Sequence, residues 1–251
     1  MIEIIGLTKR FNSNTLALNN INLHVEKSEF VTLLGPSGAG KSTLLRCING
    51  LEKPTQGNVF VKNKSVVNKR ELREIQKKTG MIFQQYNLVK RLNVLQNVLC
   101  GRLAYNSVLK TCLKLFTKDD ISLALECIDR VGLKDKVYNR ADQLSGGQQQ
   151  RVGIARALAQ NPDVILADEP IASLDPVSAE RILEILKEIN INDGITIIVS
   201  LHNVQITQHF ADRLIGIRNG EIVFNEKNKK LDAADMELIY EDVNNDRKID
   251  N

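Results

Sequence analysis

The stretch Phe30–Gly50 reads "FVTLLGPSGAGKSTLLRCING". Phe30–Leu34 is a short apolar run with the look of a buried strand. Gly35–Ser42, "GPSGAGKS", fits G-x-x-x-x-G-K-[ST], and Lys41–Asn49 carries a helical pattern that stops at Gly50. Strand, glycine loop and helix in that order make a phosphate cradle. The glycines let backbone N–H groups turn inward around phosphate oxygens, and the helix N-terminus adds positive potential. Lys41 is expected to reach the β- and γ-phosphates of a nucleotide, and the Ser42 hydroxyl to coordinate Mg²⁺. The candidate nucleotide site is thus Gly35, Pro36, Ser37, Gly38, Ala39, Gly40, Lys41, Ser42 and Thr43.

A second cluster supplies chemistry. In "DVILADEP" the apolar run Val164–Ala167 leads into Asp168 and Glu169. An acid at the C-terminal end of a buried strand sits where open α/β sheets place their ligands. Asp168 fits the carboxylate on the Mg²⁺ side, and Glu169 fits the general base that orients water. A third stretch, "LSGGQQQR", directly precedes the helical pattern "VGIARALAQ". Ser145, Gly146, Gly147 and Gln148 therefore open a helix, which makes a second anion site. One chain has one γ-phosphate to hold, so the second site is expected to serve the nucleotide of another copy. Two copies packed head to tail would sandwich two ATP molecules, close with ATP and loosen after hydrolysis.

Further strands are expected at Ile2–Ile5, Ile21–Val25, Val59–Val61, Met81–Phe83, Thr196–Val199, Leu214–Ile217 and Ile222–Phe224. The early runs alternate as in a half-exposed antiparallel sheet; the later ones are continuously apolar, as buried parallel strands are. Helices are expected at Asp119–Val131, with Ile121, Ala124, Leu125, Ile128 and Val131 on one face and Asp119 or Asp120 as cap, at Pro176–Ile191, and at Ala233–Tyr240. The fold class is α/β: a P-loop nucleotide-hydrolase core with an N-terminal antiparallel β subdomain and an inserted helical subdomain. The α/β core takes residues 1–84 and 162–226, the helical part 85–161, and a polar tail 227–251, all within a single domain.

Composition sets the class limits. The chain has 251 residues, 43% hydrophobic and 25% charged, with a net charge of +4, which is ordinary for a globular protein and too mild to mark a nucleic-acid binder. Basic residues bunch at Lys62, Lys64, Lys69, Arg70, Arg73, Lys77 and Lys78; such a run is a solvated face or a surface for an acidic partner or nucleic acid. Cysteines stand at 47, 100, 112 and 127 without a C-x-x-C pair, which argues against a zinc site or disulfide framework and suits a reducing cytosol. The start "MIEIIGLTKRF" lacks the features of a signal peptide, and no apolar run approaches the roughly 20 residues that span a bilayer.

Taken together, the cradle, "LSGGQQQR" and "LADEP" resemble the ATP-binding-cassette family over nearly the whole chain. The resemblance implies further roles. Phe11 in "LTKRF" matches the aromatic that stacks on adenine, and Gln84 in "MIFQQ" the glutamine that touches Mg²⁺ or water and senses the membrane partner, with Gln85 the neighbouring alternative. Asp175 in "SLD" matches the acid of a loop that crosses the dimer, and His202 in "VSLHN" the switch histidine at the γ-phosphate. Many relatives carry an acid where this chain has Asn203 and Tyr where it has Phe11; neither departure removes a chemically necessary group. The chain has one cassette, no sustained heptads and no fused membrane helices. That pattern implies a homodimeric ATPase subunit at the cytoplasmic face of the inner membrane, docked on a separate permease and served by a substrate-binding protein, with no nucleic-acid partner. The rival class is a soluble ATPase linked to nucleic acid, which would use the basic run. Within the family, "VLCGRLAY", "LFTKDD", "ALECIDRVGL" and "DEPIASLDP" are similar to the phosphonate-import ATPases. The segment Gly101–Asp120 is the most telling, since it lies outside the ATP site. Importers of phosphite, phosphate or amino acids are the alternatives.

Overall fold

The computed structural model describes residues 1–12, 15–106, 116–202, 209–227 and 231–240. Two sheets organise the molecule. The first is antiparallel, in the order β2 (Thr15–Val25), β1 (Ile2–Phe11), β4 (Gln56–Val61) and β5 (Lys64–Ser65). The second is mixed, in the order β10 (Glu221–Lys227), β9 (Arg213–Arg218), β3 (Phe30–Leu34), β8 (Thr196–Ser200), β7 (Val164–Asp168) and β6 (Thr79–Ile82). Its five strands from β9 to β6 run parallel, and β10 returns antiparallel at the edge.

The mixed sheet is buried on both sides, which explains the unbroken apolar runs of β3, β7 and β8. Alternate residues feed separate cores. Phe30, Leu34, Ile165, Ala167, Ile197 and Val199 enter one, together with α3 (Val94–Leu99), α4 (Lys118–Arg130), α5 (Gly146–Ala159) and α6 (Pro176–Asp193). Val31, Leu33, Val164, Leu166 and Ile198 enter the other, against α1 (Lys41–Ile48), α2 (Lys69–Lys78) and the antiparallel sheet. Each large aliphatic side chain so buried contributes roughly 1.5–3 kcal/mol. No strand lies between β6 and β7 among the described residues; only an isolated bridge joins Asn93 to Arg140 there. No helix among the described residues is long and apolar enough to cross a membrane.

Several sequence expectations need correction. Strand β1 runs to Phe11 rather than Ile5, because a left-handed Gly6 absorbs a register shift and lets pairing resume. Strand β6 ends at Ile82, so Phe83 lies outside it. Helix α4 is capped by Thr117, whose side chain accepts from the Asp120 backbone while the Asp120 carboxylate returns to the Thr117 N–H; neither Asp119 nor Asp120 is the cap itself. Ala124, Ile128 and Val131 are buried as expected, but Ile121 and Leu125 are exposed and Cys127 takes a core position. Within the basic run, Lys69–Lys78 forms α2, a helix the charge pattern concealed, with Ile75 its buried residue. Pairs Lys62–Asp163 and Lys64–Glu74 partly neutralise that surface. Helix α7 (Ala233–Tyr240) has the expected bounds; Asn203, Cys112 and the end "NNDRKIDN" lie outside the described residues.

Candidate active site

Strand β3 delivers the chain to Gly35, and α1 leaves from Gly40. Both glycines are obligatory for two reasons. Their φ values, 145° and 108°, lie in the range that L side chains rarely adopt, and there is no room for a Cβ. One on Gly35 would sit 2.0 Å from the Ile217 carbonyl oxygen, and one on Gly40 would sit 2.6 Å from that of Ala17. Asn219 and Gly220, both left-handed, form the tight turn between β9 and β10. That turn abuts the cradle: the Gly220 N–H donates to Ala39 O at 3.0 Å, and Gly220 O accepts from Asn19 N of the antiparallel sheet at 2.8 Å.

Lys41 is buried at the floor of the loop, 4% exposed, and its Nζ donates to the carbonyls of Gly35 and Pro36 at 2.7 and 2.9 Å. Burial pushes the ammonium's pKa down, and the nearby Glu169 and Asp168 carboxylates act against that shift. The next residue, Ser42, donates its hydroxyl to Asp168 Oδ1 at 2.7 Å. Asp168 ends β7 and is buried. A hydroxyl and a carboxylate that already meet are a hard-oxygen pair of the kind Mg²⁺ takes, with substrate phosphate oxygens and waters as the remaining ligands.

Glu169 follows with φ 47°, a left-handed conformation rare for this residue type and costing on the order of 1–3 kcal/mol. The turn swings its side chain to His202, whose Nε2 lies 2.5 Å from Glu169 Oε1. Both side chains remain accessible, at 19% and 41% for Glu169 and His202. A cavity of about 390 Å³ opens beside the pair, lined by Ile171, Ala172, Leu174 and Leu201. A carboxylate within reach of an imidazole, beside an ammonium and a hard-oxygen pair, can orient a water toward a phosphoryl group and neutralise developing charge.

The remaining residues named above stand elsewhere. Ser145 caps α5 in a capping box with Gln148. Gly146 lies under the Tyr86 hydroxyl and Leu174, and Gly147 under Ser178. No hydrogen bond among the described residues joins Ser145–Gln148 to the cradle. Asp175 caps α6, and hydrogen bonds from Ser178 hold its carboxyl below the usual range. Phe11 ends β1 with the Lys9 ammonium 4.6 Å from its ring centre. Ser37 and Gly38 are exposed at the loop's tip, and Thr43 is the third residue of α1. Gln84 and Gln85 are exposed just beyond β6, and Gln84 is not hydrogen-bonded to Ser42 or Asp168.

Sequence reading missed Ser200. Its Oγ donates to Asp168 Oδ1 at 3.1 Å and accepts the Glu169 N–H at 2.9 Å, so one hydroxyl orders both acids. The available signal was a polar residue closing an otherwise apolar strand, "TIIVS".

A model of the ABC transporter family matches residues 18–172. The chain is 52% identical over 99% of its length, and 96% of the relative's, to the phosphonates import ATP-binding protein PhnC of Thiobacillus denitrificans. It is 50% identical to the protein of that name from Lactobacillus gasseri, over 96% of this chain and 93% of the relative. Among solved structures it matches the ATP-binding cassette MJ0796, a dimer in a post-hydrolysis state bound to ADP and Pi, with a TM-score of 0.80 and 38% identity over 92% of this chain and all of that one. It also matches cbiO1 of Clostridium perfringens, part of the ABC transporter complex cbiONQ, with a TM-score of 0.80 and 28% identity over 91% of this chain and 88% of that one. The chain belongs to the ABC transporter family, as one of its ATP-binding cassettes.

Proposed function

We propose that this chain is the ATP-hydrolysing motor subunit of a membrane importer for phosphonates, working as a homodimer on a separate permease that a substrate-binding protein supplies. The observation that carries the motor is the meeting of Ser42 with Asp168 and of Glu169 with His202 beside the cradle. The cargo class rests on near-full-length relatives, each about half identical, that bear the phosphonates import name.

The residues take these roles. Backbone N–H groups along Gly35–Thr43, Pro36 excepted, wrap the phosphates, and Phe11 stacks on the base. Lys41 exchanges the carbonyls of Gly35 and Pro36 for β- and γ-phosphate oxygens. Ser42 and Asp168 hold Mg²⁺, with Gln84 reaching the same region from the loop after β6. When bound, Mg²⁺ draws charge from the phosphate oxygens. Glu169 orients the attacking water and accepts its proton, while His202 fixes the Glu169 carboxylate and faces the γ-phosphate. Ser145, Gly146, Gly147 and Gln148 of the partner copy complete the site from the far side, with Asp175 on the loop between the copies.

We assign residues 1–84 and 162–226 to the nucleotide-binding core and 85–161 to a helical subdomain within one domain. A cavity of about 440 Å³ lies where the two meet, lined by Leu51, Gln76, Phe83, Asn87, Leu103 and Arg156. It is the place for a cytoplasmic helix of the permease. ATP binding then supplies the differential affinity for the closed dimer, and closure moves the permease.

The test is uptake of a labelled alkylphosphonate by cells expressing wild type or Glu169→Gln, with phosphate, phosphite and an amino acid as competitors. Uptake that needs Glu169 and yields only to phosphonates supports motor and cargo together. Uptake competed by phosphite or phosphate refutes the cargo. Uptake indifferent to Glu169→Gln refutes the cargo while leaving the ATPase to be judged by its own turnover.

A further inference from the structure

Helix α7 is fastened to the mixed sheet behind the cradle. Ile239 is fully buried and occupies the space over Gly216, where an added Cβ would come within 2.6 Å of its Cγ1. Gly216 pairs in register with Leu34, the residue that precedes Gly35. The following residue, Tyr240, packs partly buried against the core, and its phenol donates to the His202 carbonyl oxygen at 3.3 Å. Burial raises the pKa of that phenol, and the nearby Gly35 backbone opposes the rise. One hydroxyl thus ties α7, seated over Gly216 beside the strand that leads into the cradle, to the backbone of the histidine that holds Glu169.

That placement answers a need. Strand β8 ends at Ser200, and Leu201 makes one more backbone bond, to Leu33 O at 3.0 Å. His202 lies past that support, and its imidazole must stay 2.5 Å from Glu169 Oε1. A phenyl ring would fill the same space against the core. The hydroxyl adds the link to the His202 backbone.

We propose that Tyr240 is a positioning residue for ATP hydrolysis, tying the backbone of His202 to α7, which Ile239 seats over Gly216 next to Leu34, so that the Glu169–His202 pair and the phosphate cradle keep one fixed spacing. This rests on the ATPase reading. It extends the site to α7, which reaches it through Tyr240. A small misplacement of a group that orients water lowers turnover more than it lowers substrate affinity.

The experiment compares MgATP hydrolysis by the full chain with that of Tyr240→Phe and Ile239→Ala, recording kcat, KM and thermal midpoint for each. For Tyr240→Phe the expected result is a kcat lower by about 3- to 10-fold, the factor one hydrogen bond is worth, with KM unchanged and the midpoint lower by no more than about 2–4 °C. Ile239→Ala removes the anchor of α7 and is expected to lower the midpoint and kcat together. Tyr240→Phe turnover equal to wild type overturns the proposal, as does a fall in its midpoint matching that of Ile239→Ala, which would make the residue mere packing. Wild type that hydrolyses no ATP overturns the ATPase reading and this one with it; a wild-type rate that Tyr240→Phe leaves intact overturns this one alone.

Discussion

Replacing Glu169 by glutamine separates binding from chemistry. The amide keeps the side chain's shape and an oxygen able to accept from His202 Nε2, now 2.5 Å from Glu169 Oε1. The Glu169 N–H keeps its bond to Ser200 Oγ, and the left-handed backbone is unchanged. Folding therefore loses little: trading a charged for a neutral hydrogen bond costs about 1 kcal/mol, or roughly 2–4 °C in melting temperature for a chain of this size. Binding loses little as well, since the cradle's amides and Lys41 are untouched. Lys41 does feel the change: Glu169 is one of the two carboxylates that oppose the downward shift burial imposes, and Asp168 remains. Turnover is another matter. A neutral amide takes no proton from water, and positioned acid–base help is worth about 10²–10⁴ in rate, or roughly 3–5.5 kcal/mol of barrier. The assay measures phosphate release in single turnover beside equilibrium binding of a fluorescent ATP analogue. Expected is binding within about threefold of wild type and release slowed at least a hundredfold, in line with that range. Release within tenfold of wild type would refute the assignment of Glu169 as base.

Three further outcomes follow from the geometry. Ser145→Arg puts a long cation where Ser145 caps α5; the chain should still bind ATP as a monomer but lose ATP-driven dimerisation and transport, read by size-exclusion chromatography and uptake. Gly35→Ala places a methyl 2.0 Å from a backbone oxygen in a strained φ region, so the loop must move; ATP binding should fall at least tenfold in the fluorescence assay, the size of a ~1.4 kcal/mol strain cost. Asp120→Asn breaks the buried pair with Arg102 Nε at 2.7 Å and should cost about 3 kcal/mol, a drop of roughly 6–12 °C in a thermal melt. Burial alone would raise the Asp120 pKa, but hydrogen bonds from Arg102, Asn106 and Thr117 outweigh it and leave the carboxyl lowered. A depressed folded pKa means the stabilisation is complete above the ordinary carboxyl range and is lost as pH falls through the folded value. Wild type should therefore lose stability faster than Asp120→Asn as melts are taken to acid pH.

What could be read from the sequence was what local chemistry dictates. The run Phe30–Ser42 carries its strand, turn and lysine within thirteen consecutive residues, so the cradle is legible from spacing. Asp168 and Glu169 are legible because they close an apolar strand in a chain that already carries a phosphate cradle; two acids ending a strand would say little alone. Ser200 was not, because its importance comes from register: β7 pairs with β8 so that Asp168 stands opposite Ser200, thirty-two positions away in sequence. Tyr240 is more remote still, its partner His202 lying across segments with no pattern linking them. Helix α2 escaped because seven of its ten residues are charged and one is buried, which leaves no apolar stripe to find. The exposure of Ile121 and Leu125 has the opposite cause: an apolar stripe broader than the surface α4 buries.

The Asn219–Gly220 turn bears on protein engineering. On paper it is a hairpin tip with the residues a surface loop favours, an inviting place to splice in an affinity tag, a fluorescent reporter or new chain termini. In the molecule Gly220 is keyed between Ala39 and Asn19 by its own N–H and C=O, and a Cβ there would stand 2.8 Å from the Ala17 oxygen. It works as a keystone between two sheets and a loop. A graft at this tip would pry all three apart, so reporters for following this cassette belong elsewhere.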